Sequence, residues 1–342
     1  MSQKKYSGLI LLCFVILFVL NACKKEFDTT APGQEITVVY GLLDKNDTRH
    51  YIRIQKAFLD KNKNAYEMAK ESDSIYYGNQ LVVKLTDLNT NAFFTLSRAN
   101  GDTLGMSKDS GIFSNSPNVL YAFNGTLIKD HAYRLSVENT STGNIATSTI
   151  NIVNEPKLIY PFNNLTNFSM IDTTAFSIRF NSGKYGRVYD LSIRFNYSEW
   201  DISTPTIISY KSVSYIAARG LKSVNLNGSE LMETSIQRSD FFRQLKILIP
   251  FDPTKQRKAS VINSIQFMLY AGGDELYKYV QVKNAQGGLT SSSILPVYTN
   301  VENGLGVFSS RTMVEAKNIS FNGDTQDSIR IGYYTKDLNF VP

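Results

Sequence analysis

Histidine and cysteine are nearly missing from this sequence, with two of each in 342 residues. Two histidines cannot build a multi-histidine metal centre, and two cysteines cannot form a zinc ribbon or a disulfide scaffold. Tryptophan occurs once, as Trp200, which gives thin support to a sugar groove lined by stacking aromatics. Charge of either sign is sparse at 19%, and the formal net charge is only +6. The densest basic run, Lys255-Gln256-Arg257-Lys258, follows Pro253 and reads as a solvated loop. A nucleic-acid face needs a stripe of such residues with an aromatic platform, so nucleic acid is not an expected partner. What is plentiful is Tyr and Phe, twenty of each, and these favour strands. A hydrophobic content of 42% allows a buried core, and the length suits two domains of ordinary size.

Long apolar runs are also absent, except at the N-terminus. Lys4 and Lys5 precede an almost unbroken apolar stretch from Leu9 to Leu20. Twelve residues are too few to span a bilayer but suit a secretory segment. Leu20-Asn21-Ala22-Cys23 follows directly and resembles a bacterial lipobox. The chemistry requires Cys, because its thiol becomes the thioether to a diacylglyceryl group. Cleavage before it exposes an amine that is acylated in turn, and two or three acyl chains anchor stably where one does not. Residues 1–22 are therefore expected to be a lipoprotein signal peptide, with Cys23 the lipidated residue. Removing Lys4 and Lys5 with that segment leaves 34 basic against 30 acidic residues. Cys13 leaves too, so the mature chain has neither a disulfide nor a free thiol nucleophile.

Residues 23–34 are polar, contain Pro32 and Gly33, and read as a flexible tether. Its Lys-Glu pair, Lys25-Glu26, is similar to signals that export lipoproteins to the cell surface in Bacteroidetes. Period-two alternation begins near Glu35. Strands are expected at 35–43, 51–54, 81–85, 92–96, 120–127, 132–137 and 146–153, separated by Asn/Asp/Gly/Ser turns. A short helix is expected around Tyr66 to Ala69. Residues 35–155 thus read as a β-sandwich of immunoglobulin-like size, without the Cys…Trp…Cys core of true immunoglobulin domains. Asn154-Glu155-Pro156 is the candidate boundary. Residues 156–342 read as a mainly-β domain with short helices. Its strands are expected at 157–160, 175–180, 187–197, 207–217, 264–270 and 306–314, with helices over 241–246 and from Asp274 to Gly287-Gly288. The fold class expected is mainly β, as two antiparallel sandwich-like domains, the second with one or two covering helices.

Several phrases resemble a family of Bacteroidetes outer-membrane lipoproteins assigned to domains of unknown function. They are Val38-Val39-Tyr40-Gly41-Leu42-Leu43-Asp44, the run from His50 to Phe58 (HYIRIQKAF), and the run from Val297 to Phe308 (VYTNVENGLGVF). The resemblance spans roughly residues 35 to 315. It implies an accessory or binding role beside outer-membrane transport, secretion or surface-polymer systems, and carries no catalytic residues.

Enzymatic readings find little purchase. A serine hydrolase needs a general-base histidine. Only His50, beside a turn, and His131, at a strand start, are available; both read as surface residues, and no G-x-S-x-G elbow occurs. Thirty acidic residues allow a glycosidase pair, but no two stand out. Asp60-Lys61-Asn62-Lys63-Asn64, with Glu71 at the twelfth position, echoes a calcium loop. Ala65 replaces its turn-making glycine, and the run reads as a polar connection. Gly304-Leu305-Gly306 lacks the third glycine and the helix of a phosphate cradle. No metal or cofactor is expected. Five Asp-(Ser/Thr)-(aliphatic or Thr) triplets look like the O-glycosylation signal of exported Bacteroidetes proteins. They make Thr29, Ser74, Thr103, Thr173 and Ser328 candidate glycan sites. The expected function is a lipid-anchored outer-membrane protein, on the periplasmic or cell-surface face, that binds a partner protein or surface polymer. The alternative is a carbohydrate-active or other hydrolytic enzyme.

Overall fold

The computed structural model describes residues 35–57, 64–171, 175–286 and 297–342. Cys23, Thr29, Thr173 and the start of the calcium-like run lie outside them. The chain is mainly β, as its alternation predicts. Seven strands come first: β1 (Ile36–Asp44), β2 (Arg49–Ala57), β3 (Leu81–Asp87), β4 (Phe93–Asn100), β5 (Val119–Asn124), β6 (Ala132–Asn139) and β7 (Ile145–Asn151). Two short helices, α1 (Ala65–Lys70) and α2 (Ser72–Ile75), lie between β2 and β3. Asn64 caps α1 with its side chain on the Tyr66 N–H, so this residue of the calcium-like run serves as a helix cap.

Eight strands follow: β8 (Lys157–Tyr160), β9 (Ala175–Asn181), β10 (Val188–Asp201), β11 (Thr204–Lys222), β12 (Leu231–Gln237), β13 (Lys255–Ala259), β14 (Ile265–Gly272) and β15 (Gly304–Ile319). Among them lie α3 (Arg238–Leu248), α4 (Asp274–Gln286) and α5 (Gly323–Ile331). Twelve strands form one sheet in the order β11-β10-β14-β15-β1-β2-β5-β4-β3-β6-β7, with β13 on β10. The sequence β12-β9-β8 forms a smaller sheet.

Every pairing between these strands is antiparallel except one, which departs from the all-antiparallel expectation. β1 and β15 run parallel, with Val39 opposite Gly306 and Gly41 opposite Phe308. A period-two pattern is the same for either direction, so the strands' own sequences do not announce it. The glycines do mark the contact. A Cβ on Gly304 would sit 2.6 Å from the Thr37 carbonyl oxygen, and one on Gly306 2.0 Å from that of Val39. A Cβ on Gly41 would sit 2.7 Å from the Phe308 ring. The phrase from Val297 to Phe308 is thus a structural clasp. Asn300 grips the Phe308 backbone, donating to its carbonyl at 2.6 Å and accepting its N–H at 3.0 Å. Glu302 and Thr147 exchange backbone bonds at 2.7 and 3.1 Å, which covers part of the β7 edge.

The interior divides into two clusters. The first gathers Val39, Ile52, Leu85, Tyr133 and Ile150, and takes Val301 and Phe308 from the far end of the chain. The second runs from Val153 to Phe340. Tyr189, Leu191, Ile193 and Phe195 of β10 point into it, as their alternation predicts. It is rich in edge-to-face aromatic pairs such as Phe168–Phe267 and Phe241–Phe321, both at 5.6 Å. Ser310, fully buried, joins the two: its hydroxyl donates to Asn151 O at 2.8 Å and accepts from Val153 N at 2.9 Å.

Three sequence expectations are corrected here. The basic run is β13, not a solvated loop, and Arg257 is among the most buried side chains. An all-polar segment has no apolar alternation to reveal a strand. His50 is buried, stacked on Phe123 at 4.6 Å, with its Nε2–H donating to Gly125 O at 3.1 Å. His131 is partly buried, hydrogen-bonded to Asp87.

Candidate functional site

The sheet face at β1, β2 and β15 leaves a cavity of about 640 Å³. Its floor is Val38, Tyr40, Gln55 and Leu305. Met68 and Ala69 of α1 and Ile75 of α2 close one side. Ile112 and Phe113 of the β4–β5 connection also line it, beside α1, where Ser114 N donates to Ala69 O at 2.8 Å, and Tyr279 of α4 lines it next to Tyr40. Val297 and Tyr298 complete the rim. β1 contributes its outer face here because its inner face is already committed. Alternate residues of β1, such as Val39 and Leu43, fill the first core, which turns Val38 and Tyr40 outward.

The lining is apolar and phenolic, with one amide (Gln55) and one amine (Lys56). Among the described lining residues there is no carboxylate, histidine, cysteine or serine. Tyr40 meets Tyr279 edge-on at 6.5 Å. Burial, then the Tyr279 phenol, pushes the Tyr40 hydroxyl above its ordinary range. Burial, followed by the charges of Glu275 and Asp274, pushes Tyr298 up to about 12. Both phenols therefore stay protonated at neutral pH and act as hydrogen-bond partners, not bases. Lys56 Nζ lies 3.4 Å from Glu35 Oε1 and 5.9 Å from the centre of the Tyr77 ring. Such a lining suits binding of an apolar group with a polar end.

Glu275 lies outside this lining. Burial raises its carboxyl, although Ser309 Oγ donates to it at 3.1 Å. An acid whose folded value is raised binds its proton more tightly when folded. Its charge costs stability above the folded value, and the cost vanishes as pH falls below the ordinary 4.5. Glu275→Gln is expected to raise stability at pH 7 by roughly 1 kcal/mol and to remove the wild-type gain on acidification. Urea unfolding at pH 7 and pH 5 measures both, and a variant less stable at pH 7 would contradict the expectation.

The one histidine–carboxylate pair of a hydrolase type is His131 Nδ1 on Asp87 Oδ2, at 2.7 Å. Asp87 Oδ1 also accepts the backbone N–H groups of Asn89, at 2.9 Å, and Thr90, at 3.4 Å. No serine hydroxyl bonds to His131 among the described residues. The pair fastens the β3–β4 turn to the start of β6, where Ala132 N donates to Asn89 Oδ1 at 2.9 Å. Burial pushes Asp87 up, but its hydrogen bonds from His131, Asn89 and Thr90 outweigh this and hold it below the ordinary 3.8. A depressed acid contributes stability above the unfolded value that is lost as pH falls through the folded one. Asp87→Asn is expected to cost about 1–3 kcal/mol at pH 7 and to flatten the loss of stability below pH 4. An acid unfolding profile unchanged by the substitution would show that this pair does not carry the effect.

Other concave places are weaker candidates. A shallow hollow of about 600 Å³ around Arg187 and Lys222 is already satisfied internally. Arg187 donates to Asp274 at 2.9 Å and to the carbonyls of Ser223 and Val224, while Lys278 also pairs with Asp274. No group of three or more potential metal ligands occurs among the described residues. No helix among them is long and apolar enough to cross a membrane.

Of the glycan candidates, Ser74, Thr103 and Ser328 are described. Thr103 is exposed in a single 3₁₀ turn, its hydroxyl donating to Asn100 O at 2.9 Å. Ser74 and Ser328 are half-buried in α2 and α5, not in connections as their triplets suggested. Ser74 Oγ donates to Glu71 at 3.2 Å. No local sequence pattern announces the cavity. Its walls come from four separated stretches, and only the conjunction of outward Val38 and Tyr40 with the Val297–Phe308 phrase hinted at it.

The profile of a family described as a domain of unknown function, DUF4249, matches residues 24–316. No curated protein matches the sequence.

Proposed function

The chain belongs to the DUF4249 family, and from that premise we propose that it is a lipid-anchored bacterial outer-membrane protein that works by binding, not catalysis. Cys23 carries the lipid, and the polar residues 24–34 link it to the β domains. The observation that carries the binding reading is the cavity of about 640 Å³ on the sheet face, apolar and phenolic, without an acid–base pair in its described lining. Its partners are a component of outer-membrane transport or secretion, or a surface polymer, engaged from the membrane surface. Among the described glycan candidates Thr103 is the most exposed, and Thr29, Ser74, Thr173 and Ser328 complete the set.

Fractionation of the native host with intact mass measurement tests the anchor. The expected result is an outer-membrane protein that begins at Cys23 and carries a diacylglyceryl group and an amide-linked acyl chain. Mass beyond the lipid reports glycans, and a mass equal to the bare lipoprotein removes the glycan proposal. Cys23→Ala is expected to retain residues 1–22 and to fail to reach the outer membrane. A soluble, correctly processed Cys23→Ala protein would overturn the lipoprotein reading.

A further inference from the structure

The cavity lies beside Glu35, the first described residue after the tether sequence. Glu35 immediately precedes β1, and its carboxylate is 3.4 Å from the amine of Lys56, which lines the cavity. Eleven residues, Lys24 to Gln34, separate Glu35 from Cys23. Fully extended, that length reaches about 40 Å; relaxed, it spans roughly 20 Å. A group on Cys23 is therefore held near the cavity mouth at an effective concentration on the order of millimolar.

The mouth is apolar where it meets solvent: Tyr66, Ile112, Phe113 and Val297 are 63%, 52%, 59% and 70% exposed. Exposed apolar side chains grouped around a cavity mark a binding surface. Inside, Met68, Ile75 and Leu305 offer hydrocarbon contact, and the phenols and Lys56 offer donors to a carbonyl oxygen. The chemistry that matches is an unbranched hydrocarbon ending in an ester or amide. We infer that the cavity shelters an acyl chain of the lipid on the molecule's own Cys23 whenever that chain is out of a bilayer. The inference rests on the lipidation reading above and names the ligand of the same cavity.

The test uses the native, full-length mature lipoprotein carrying a photoreactive acyl chain. Cells are grown with a diazirine-bearing long-chain fatty acid, the lipoprotein is purified in mild detergent, and intact mass confirms the lipid on Cys23. Irradiation and peptide mapping then locate the crosslinks. The expected result is intramolecular crosslinking to peptides covering residues 64–76 and 297–308. Ala69→Trp, which fills the cavity, should lower that yield about tenfold, and Phe113→Ser on the exposed rim severalfold. After transfer to lipid nanodiscs the crosslinks should move to lipid. Confirmed lipid on Cys23 with crosslinks elsewhere, or with yields equal in wild type and both variants, overturns the inference and leaves the lipoprotein reading standing. Cavity labelling only by added free fatty acid, or a partner segment found seated there, also overturns it. A mass without lipid on Cys23 overturns the lipoprotein reading itself, and the mass alone makes that distinction.

Discussion

Arg257→Ala is expected to destabilise the protein by about 3–5 kcal/mol, a large part of the stability of an ordinary domain. Arg257 is only 1% exposed, and all three guanidinium nitrogens are used. Nε donates to Glu199 at 2.8 Å, one terminal nitrogen to Leu338 O at 2.8 Å, and the other to Pro250 O at 3.1 Å. Its backbone holds the C-terminal tail as well, with N–H to Asn339 O at 3.0 Å and its carbonyl accepting from Val341 N at 2.8 Å. Truncation leaves the Glu199 carboxylate without its buried partner and two carbonyls without donors. Arg257→Lys keeps the charge but loses the fork, and is expected to recover less than half of the loss. Urea denaturation measures the change, and limited proteolysis should show the tail after Leu338 released first. An unchanged urea midpoint for Arg257→Ala would contradict this account of the second core.

Gly306→Ala is expected to cost on the order of 4 kcal/mol and to loosen the parallel β1–β15 pair. Gly306 has φ +105°, which side chains avoid, and its added Cβ would stand 2.0 Å from Val39 O. Neither backbone can retreat without opening the register that carries Phe308 into the first core. Gly143→Ala is the control. It also has positive φ, at +72°, but open space around it, so its cost is expected near 1 kcal/mol. The difference between the two variants reports the close approach together with the less accessible φ of Gly306. Equal destabilisation would mean that the parallel contact contributes little. Hydrogen exchange along residues 36–44 reports the pairing directly.

These two residues also show how much the sequence discloses. Strands with an apolar alternation are legible one by one: β10 is the clear case, and β1, β6 and β7 follow the same rule, while β5 reads from a continuous apolar run. β13 was not, because Lys255-Gln256-Arg257-Lys258 has no apolar side to contrast with a polar one. Its strand character comes from β10 alongside and from one inward guanidinium. β12, Leu231-Met232-Glu233-Thr234, and α5 were missed for a similar reason, since their buried positions are few and partly polar, Thr325 among them. The parallel partner of β1 lies some 265 residues away, beyond any local pattern. Gly304 and Gly306 mark it, yet read alone they suggest only a bend. His50 looked superficial because it adjoins a turn, whereas its ring is needed to cover Phe123. The cavity was the least legible feature. Its apolar side chains read as ordinary alternation, and only the assembled sheet shows that Val38, Tyr40 and Leu305 face a hollow and not a second layer.

The cavity's role as a binding site is tested most directly by titrating a neutral naphthylamine probe, fluorescent in apolar surroundings, into a chain that begins at Lys24 and carries no lipid. The predicted result is one saturable site per chain, weakened about tenfold by Ala69→Trp, with little binding to the lipidated protein whose own acyl chain occupies the site. Non-saturable fluorescence, or the same affinity with the cavity filled, would contradict the account.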